Sequence, residues 1–492
     1  MLLPFDTLVH LDRSAGTPVY QQLANRLIAL ILEGALKPGM PLPASREMAT
    51  LLNLHRKTVI AAYDELQQQD WIYTVERKGI FIAENLPEIK PRSFKAAART
   101  GAYAENASFP YYEAMHIALP LYVKQTPKYT IDDGFPDPRL APMDELLKAS
   151  RELMRIPENR YGLISGASEG AWALREALTT HLNNSRGLNI HSQNILITRG
   201  GQMGIHLAAS LLLKPGDKVI VAAPNYHLAD LCFQQLGAHL VRVPVDAEGI
   251  DVDRIASILE KQDIRLLYII PHHHQPTTVT LSAERRMKLL TLIRQYKLPV
   301  IEDDYDYEFH YSGGPLLPLA SAPHQGQVIY IGSINKSLAL PFRSGYMVAP
   351  PDFIAQCTYL RRMIDLRGDT LMEASLAKLF ENGTIQRHLK KSSKLYEHRR
   401  DVLCDTLSKQ LGSAVQFTSP QGGMAVWAQF DPSIPLVTLA RRAGEMGLRM
   451  SDGSSYKYGV KDQNALRIGY AALNDEEIRA VVGILRKSVE GK

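Results

Sequence analysis

The sequence predicts an α/β protein in two parts. One is a small N-terminal module of helices and a hairpin; the other is a large body on a mainly parallel sheet, with a small C-terminal α+β part. Three observations predict this. From residue 131 onward, short apolar runs alternate with stretches of helical periodicity, as in a sheet whose strands are buried under helices. Residues 18–83 read as helix, helix, turn, helix and basic hairpin. Between them, residues 84–130 carry Pro87, Pro91, Pro110, Pro120 and Pro127 without a long periodic stretch, as a linker does. We therefore divide the chain into 1–83, 84–130 and 131–492.

Composition narrows the class. A chain of 492 residues is too long for one ordinary core. Its 45% apolar and 22% charged residues are those of a globular protein. No apolar run approaches the roughly 20 residues of a membrane span, and the N-terminus lacks the basic start of a signal peptide. Three widely spaced cysteines, Cys232, Cys357 and Cys404, form neither a disulfide framework nor a metal pattern and suit a reducing cytoplasm. The net charge is +5, yet residues 1–90 hold nine Lys/Arg against ten Asp/Glu. A nucleic-acid reading must therefore rest on where charges sit.

In the N-terminal module, residues 18–33 place apolar side chains at 20, 23, 27, 28, 31 and 32, a helical spacing opened by a proline and closed by Gly34. A turn-rich connector follows (LKPGMPLP, 36–43). Ser45 is expected to cap a second helix running to Leu51. A third helix, from about Arg56 to Gln69, puts Val59, Ala62, Tyr63 and Leu66 on one face. Residues 71–76 and 80–83 alternate as a hairpin around a basic tip, Arg77 and Lys78. The order resembles the GntR-type winged helix-turn-helix, whose P-x-Y-x-Q, L-x-P-G and A-Y-x-x-L elements recur here in sequence. That resemblance implies a partner, double-stranded operator DNA. A recognition helix reads base edges from its N-terminal end, which here is Arg56, Lys57 and Thr58. Arg46 on the preceding helix and Arg77 and Lys78 on the wing would meet phosphates or the minor groove. His55 stands where relatives often carry a capping serine.

In the body, strand-like runs fall at 194–198, 218–222, 240–243, 266–270, 299–302 and 328–331, with helical stretches at 205–213, 228–236, 254–262 and 283–296. Ligands of such sheets bind beyond the carboxyl ends of the strands, so the residues just after each run matter most. After the first run, Gly200 and Gly201 open a helix, and free N–H groups at a helix start suit a phosphate. After the second comes Tyr226, placed to lie flat on an aromatic ring. After the fourth come His272, His273 and His274; without an acidic or cysteine ligand at useful spacing, no metal is expected. After the fifth come Glu302, Asp303, Asp304 and Tyr305. The sixth leads into YIGSINKSLALPFRSGY (330–346). There Lys336 could form a Schiff base if desolvated, and Ser333 and Arg343 suit a phosphate. The same residues also suit a strand end with a surface lysine and arginine.

The S-x-x-K pattern with its following arginine resembles the cofactor loop of the fold-type I aminotransferases, and the places above match that family in order to the C-terminus. The resemblance implies pyridoxal 5'-phosphate bound through Lys336. Gly201, Gln202, Ser333 and Arg343 would hold its phosphate. Tyr226 would stack on the ring, with Asp303 on the pyridine nitrogen and Tyr305 and Gln275 near the ring oxygen. It implies that Tyr161 serves the neighbouring subunit of a homodimer, and that Arg467 grips a carboxylate; an arginine on an edge strand remains the plain reading of the last. Asn335, Gln275 and Thr278 depart from the usual Ser, Asn and Gly. A GntR-type reader fused to such a body resembles the MocR/GabR regulators. The implied function is a cytoplasmic, DNA-binding transcription regulator that senses an amino compound or pyridoxal phosphate itself. The alternative is an active aminotransferase with a DNA-binding appendage, and the sequence does not separate them.

Overall fold

The computed structural model describes residues 4–13, 15–86, 106–113, 126–158, 162, 166–311, 314, 316–338, 343–456 and 463–491. Most of the expected linker, and Tyr161, lie outside the described residues. The chain forms two compact units, Met1–Tyr111 and Tyr112–Lys492. No described helix is long and apolar enough to cross a membrane.

The N-terminal unit packs helices Val19–Leu32, Ser45–Leu51 and Arg56–Gln68 around buried Leu23, Leu27, Ile31, Val59, Ala62 and Leu66. A short helix, Phe5–Leu8, adds Phe5 to this core. Strand β1 (Pro41–Leu42) lies inside the segment read as a connector; it pairs with β3 (Gly79–Ile82), which pairs with β2 (Ile72–Val75). One expectation about caps needs correcting, and one departure proves compatible with a cap. Ser45 is the first helical residue, after an Ala44 N-cap with no side-chain bond, and its Oγ instead accepts from Arg56 Nε at 3.4 Å. His55 does cap the third helix, its Nδ1 accepting from the Lys57 N–H at 3.3 Å. The imidazole replaces a serine because its ring nitrogen reaches an N–H left without an intrahelical partner.

The second unit opens with β4 (Tyr129–Thr130). Its main sheet comprises β5 (Ile195–Thr198), β6 (Lys218–Ala223), β7 (His239–Asp246), β8 (Gly249–Ile250), β9 (Leu266–Ile269), β10 (Val300–Asp304), β11 (Val328–Ser333) and β12 (Gly345–Val348). The spatial order is β5-β12-β11-β10-β9-β6-β7-β8. Strands β7, β6, β9, β10 and β11 run parallel; β12 is antiparallel to both neighbours and β8 to β7. All six expected strand runs form, and β8 and β12 are additional. Each face carries a packed core: Leu196, Val219, Val221 and Ile301 on one side, Ile197, Ile220, Leu267 and Val300 on the other. This alternation puts both faces of the central strands out of water, while β7 near the sheet edge stays partly exposed; burial on both faces is why those strands read as continuous apolar runs. The C-terminal part is an antiparallel sheet, β13 (Val415–Phe417), β14 (Ala425–Phe430) and β16 (Ala465–Gly469), with helices Thr384–Leu411, Leu436–Glu445 and Asp475–Glu490. Strand β15 (Leu448–Arg449) runs parallel to β4.

Candidate cofactor cavity and reader surface

Beyond the carboxyl ends of β5, β6, β9, β10 and β11 lies a cavity of about 380 Å³. Gly201, Gln202, Tyr226, Gln275, Asp303, Tyr305, Ser333, Lys336 and Arg343 all line it. They are far apart in sequence, and the parallel strands deliver each of them to one end of the sheet.

Lys336 sits on a short helix, Ile334–Leu338, that begins where β11 ends. Its Nζ donates to the Gly134 carbonyl at 2.7 Å and lies 3.6 Å from the centre of the Phe135 ring. Burial and the positive charge of Arg467 push its pKa down to about 8, against the pull of Asp132, Asp133 and Asp306. An amine in this state is neutral and nucleophilic for a larger share of the time than a surface lysine.

The acids at the end of β10 divide their tasks. Glu302 accepts from the N–H groups of Leu319 and Ala320 at 2.7 and 2.8 Å. Asp304 faces His272 at 3.3 Å and accepts from Tyr330 at 2.8 Å. Asp303 alone of the three lines the cavity, and its Oδ2 accepts from the Tyr268 hydroxyl at 2.7 Å. Burial raises the Asp303 carboxyl to about 7, which Tyr268 partly offsets and Asp304 and Asp306 increase. A carboxylate in so dry a place calls for a cationic partner.

Beside Asp303, Gly200 takes φ +83° and Gly201 begins the helix Gly201–Leu212. A Cβ on Gly200 would come 3.1 Å from Asn335 Nδ2, so glycine suits both the backbone and the space. The first N–H groups of this 12-residue helix lack intrahelical acceptors and point as an anion site requires. Gln202 gives its Nε2 to the Leu228 carbonyl at 3.1 Å, while its buried Oε1 has no partner. Ser333 Oγ accepts from the Lys336 N–H at 3.4 Å. The lysine amine, the Asp303 carboxylate, the arginine, the serine and the helix start together form a donor set that fits pyridoxal phosphate.

Two side chains are more engaged than the sequence suggested. The Tyr305 hydroxyl donates to the His273 carbonyl at 2.7 Å and accepts from Arg467 Nη2 at 2.9 Å. Arg467 is 1% exposed on the edge strand β16 and does not line the cavity. Its Nε donates to Asp133 O at 2.8 Å and its Nη1 to Pro276 O at 3.1 Å. A carboxylate reaching this fork would have to exchange those bonds. Thr278 keeps φ +62°, a left-handed backbone that a glycine adopts freely and a β-branched residue adopts under strain.

The three histidines diverge. His272 Nε2 lies 2.6 Å from the Leu316 carbonyl, His273 Nδ1 is 2.9 Å from Asp306, and His274 Nδ1 is 2.8 Å from Thr277. Among the described residues no group of three or more metal-ligating side chains forms. Sequence reasoning missed Asp133, Phe135 and Tyr268. The first two follow β4, and the acid pair before Gly134 at a strand end was an available signal. Tyr268 lies within an apolar strand run and gave none.

In the N-terminal unit, Arg46, Arg56, Lys57, Arg77 and Lys78 are exposed or nearly so and Thr58 is half-buried. Arg77 takes φ +61° at the hairpin tip. The Tyr63 hydroxyl donates to the Pro43 carbonyl at 2.9 Å, tying the third helix to the connector.

Comparison with known proteins gives two matches along the chain. Residues 19–82 match the bacterial regulatory proteins of the gntR family, and residues 135–485 match aminotransferase class I and II. The chain is 27% identical to the HTH-type pyridoxine biosynthesis transcriptional regulator PdxR of Corynebacterium glutamicum, covering 98% of this chain and 99% of that one. It is 26% identical to the probable rhizopine catabolism regulatory protein MocR of Rhizobium meliloti, over 97% and 95%. The fold resembles the crystal structure of LysN, an alpha-aminoadipate aminotransferase from Thermus thermophilus complexed with N-(5'-phosphopyridoxyl)-L-leucine. The TM-score is 0.69 and the identity 26%, over 74% of this chain and 92% of that chain.

Proposed function

The chain belongs to the class I and II aminotransferases and carries a GntR-family regulatory domain, and on that footing we propose that it is a pyridoxal 5'-phosphate-dependent transcriptional regulator. It binds operator DNA through its N-terminal unit and senses an amino compound, or pyridoxal phosphate itself, in its body. One observation carries the reading: the regulators match nearly the whole chain, reader and cavity together.

When bound, pyridoxal phosphate supplies an aldehyde that reacts with amines and a ring that draws electrons once its nitrogen is protonated. Lys336 is the amine that holds the aldehyde. Asp303 would hold a proton at the ring nitrogen, since a cation there offsets the cost of its burial. Ser333, Arg343, Gln202 and the N–H of Gly201 take the phosphate. Tyr226 would cover the ring face, and Gln275 and Tyr305 would serve the ring oxygen. Tyr161, which the resemblance assigns to the neighbouring subunit of a homodimer, lies outside the described residues. Arg467 takes the carboxylate of an incoming amino acid, releasing Tyr305 and the Asp133 and Pro276 carbonyls as it does so. A ligand shifts the DNA-binding equilibrium only by binding one state better than the other. The rearrangement around Arg467 is where that difference in affinity arises.

The test is an assay with amino-acid donors and a keto acid alongside footprinting upstream of the protein's own and neighbouring genes. A protected operator without sustained turnover supports the regulator. Sustained turnover without a protected site supports an aminotransferase with a DNA-binding appendage.

A further inference from the structure

The buried pair Tyr268 and Asp303 belongs to different strands of the same sheet. Tyr268 is fully buried on β9, and its ring packs edge-on against Phe233 at 5.5 Å between centroids. Burial, then the Asp303 charge, pushes the phenol well above its usual range, so its hydroxyl stays a proton donor. It donates a hydrogen bond to Asp303 Oδ2 at 2.7 Å. Asp303 Oδ1 lies 3.9 Å from where a side chain on Gly201 would begin, and both residues line the cavity. The two carboxylate oxygens thus have separate surroundings: Oδ2 meets the tyrosine, and Oδ1 lies toward Gly201, a residue of the cavity wall.

We propose that Tyr268 is a positioning residue for Asp303: it fixes Oδ2, aims Oδ1 at the cofactor's ring nitrogen, and so sets how tightly the body retains pyridoxal phosphate. This rests on the reading that Asp303 serves that nitrogen. A carboxylate that keeps one oxygen bonded cannot rotate away from the ring, so less ordering is lost on binding. The hydrogen bond also favours the ionised carboxylate, the form that a protonated ring requires. Other groups face Asp303: Tyr226 after β6, Lys336 on its short helix, and Asp304 and Asp306 along its own segment. Asp304 is held by His272 and Tyr330 and Asp306 by His273. Tyr268 is the neutral donor that hydrogen-bonds Asp303, and its removal leaves the net charge of the site unchanged.

The experiment compares the wild-type apoprotein with Tyr268→Phe, which removes one oxygen atom and keeps the ring against Phe233. Affinity is measured across pH for pyridoxal phosphate and for its 1-deaza analogue, which has carbon in place of the ring nitrogen. In the wild type, affinity for pyridoxal phosphate climbs with pH through the ionisation of Asp303 at about 7. In Tyr268→Phe that climb moves to higher pH, and binding at neutral pH weakens by about tenfold, the change that one pKa unit carries. The 1-deaza analogue binds both proteins alike. An equal loss at every pH, shared by the 1-deaza analogue, makes Tyr268 a packing residue and overturns the proposal. Unchanged pyridoxal phosphate binding in Asp303→Asn is a different failure: it removes Asp303 from the ring nitrogen and takes the proposal with it.

Discussion

Lys336 and Gly134 are 202 residues apart in sequence, yet the lysine Nζ donates to the glycine carbonyl at 2.7 Å. This bond keeps the amine inside the cavity, where burial and Arg467 hold its pKa at about 8. The neutral amine is the reactive form. Covalent capture of pyridoxal phosphate should therefore speed up as pH rises through about 8 and level off above it. Lys336→Ala should show no borohydride-trapped cofactor. Trapping at another lysine, seen by peptide mapping, would assign the amine elsewhere.

Asp303→Asn should weaken retention of pyridoxal phosphate by about 10- to 100-fold, the loss expected when a hydrogen bond to a charged group is removed. Equilibrium dialysis against the free cofactor measures it. Wild-type retention would place a different carboxylate, Glu302 or Asp304, at the ring.

Arg467→Ala should act on both fold and response. It leaves Tyr305 and the carbonyls of Asp133 and Pro276 without their donor, which should lower the melting temperature by several degrees. It should also abolish the spectral response to α- and ω-amino acids in a titration of the loaded protein. A ligand that alters DNA binding equally in the variant and the wild type would remove Arg467 from sensing.

On the reader, Arg56→Ala should cost about 1–3 kcal/mol on operator DNA and less on random DNA, as loss of a base contact does. Arg77→Ala should weaken both alike and reduce the salt slope by about one. Gel-shift titrations at several salt concentrations separate the two. An equal loss on both DNAs for Arg56→Ala would make it a phosphate contact.

The sheet was legible because buried parallel strands leave apolar runs, and the cavity because its residues follow those runs directly. Gly201, Tyr226, Asp303 and Lys336 are cases in point. The strand Gly345–Val348 was hidden because it follows Arg343 almost at once, in a segment that read as a phosphate loop. Tyr268 was hidden because a buried donor in an apolar strand differs from its neighbours by one oxygen. The engagement of Arg467 was hidden because two of its acceptors are main-chain carbonyls, which no side-chain pattern reveals. His55 showed the converse, a departure from the usual residue that still performs the cap.

The central claim is that the cavity governs the reader. The most direct measurement is the operator affinity of the full chain, with and without pyridoxal phosphate and an amino-acid panel, in the wild type and in Lys336→Ala. The account predicts that loading or an amine changes wild-type affinity and leaves Lys336→Ala unmoved. Identical operator affinity in every state of the wild type, with sustained amino-group transfer to a keto acid, would contradict it.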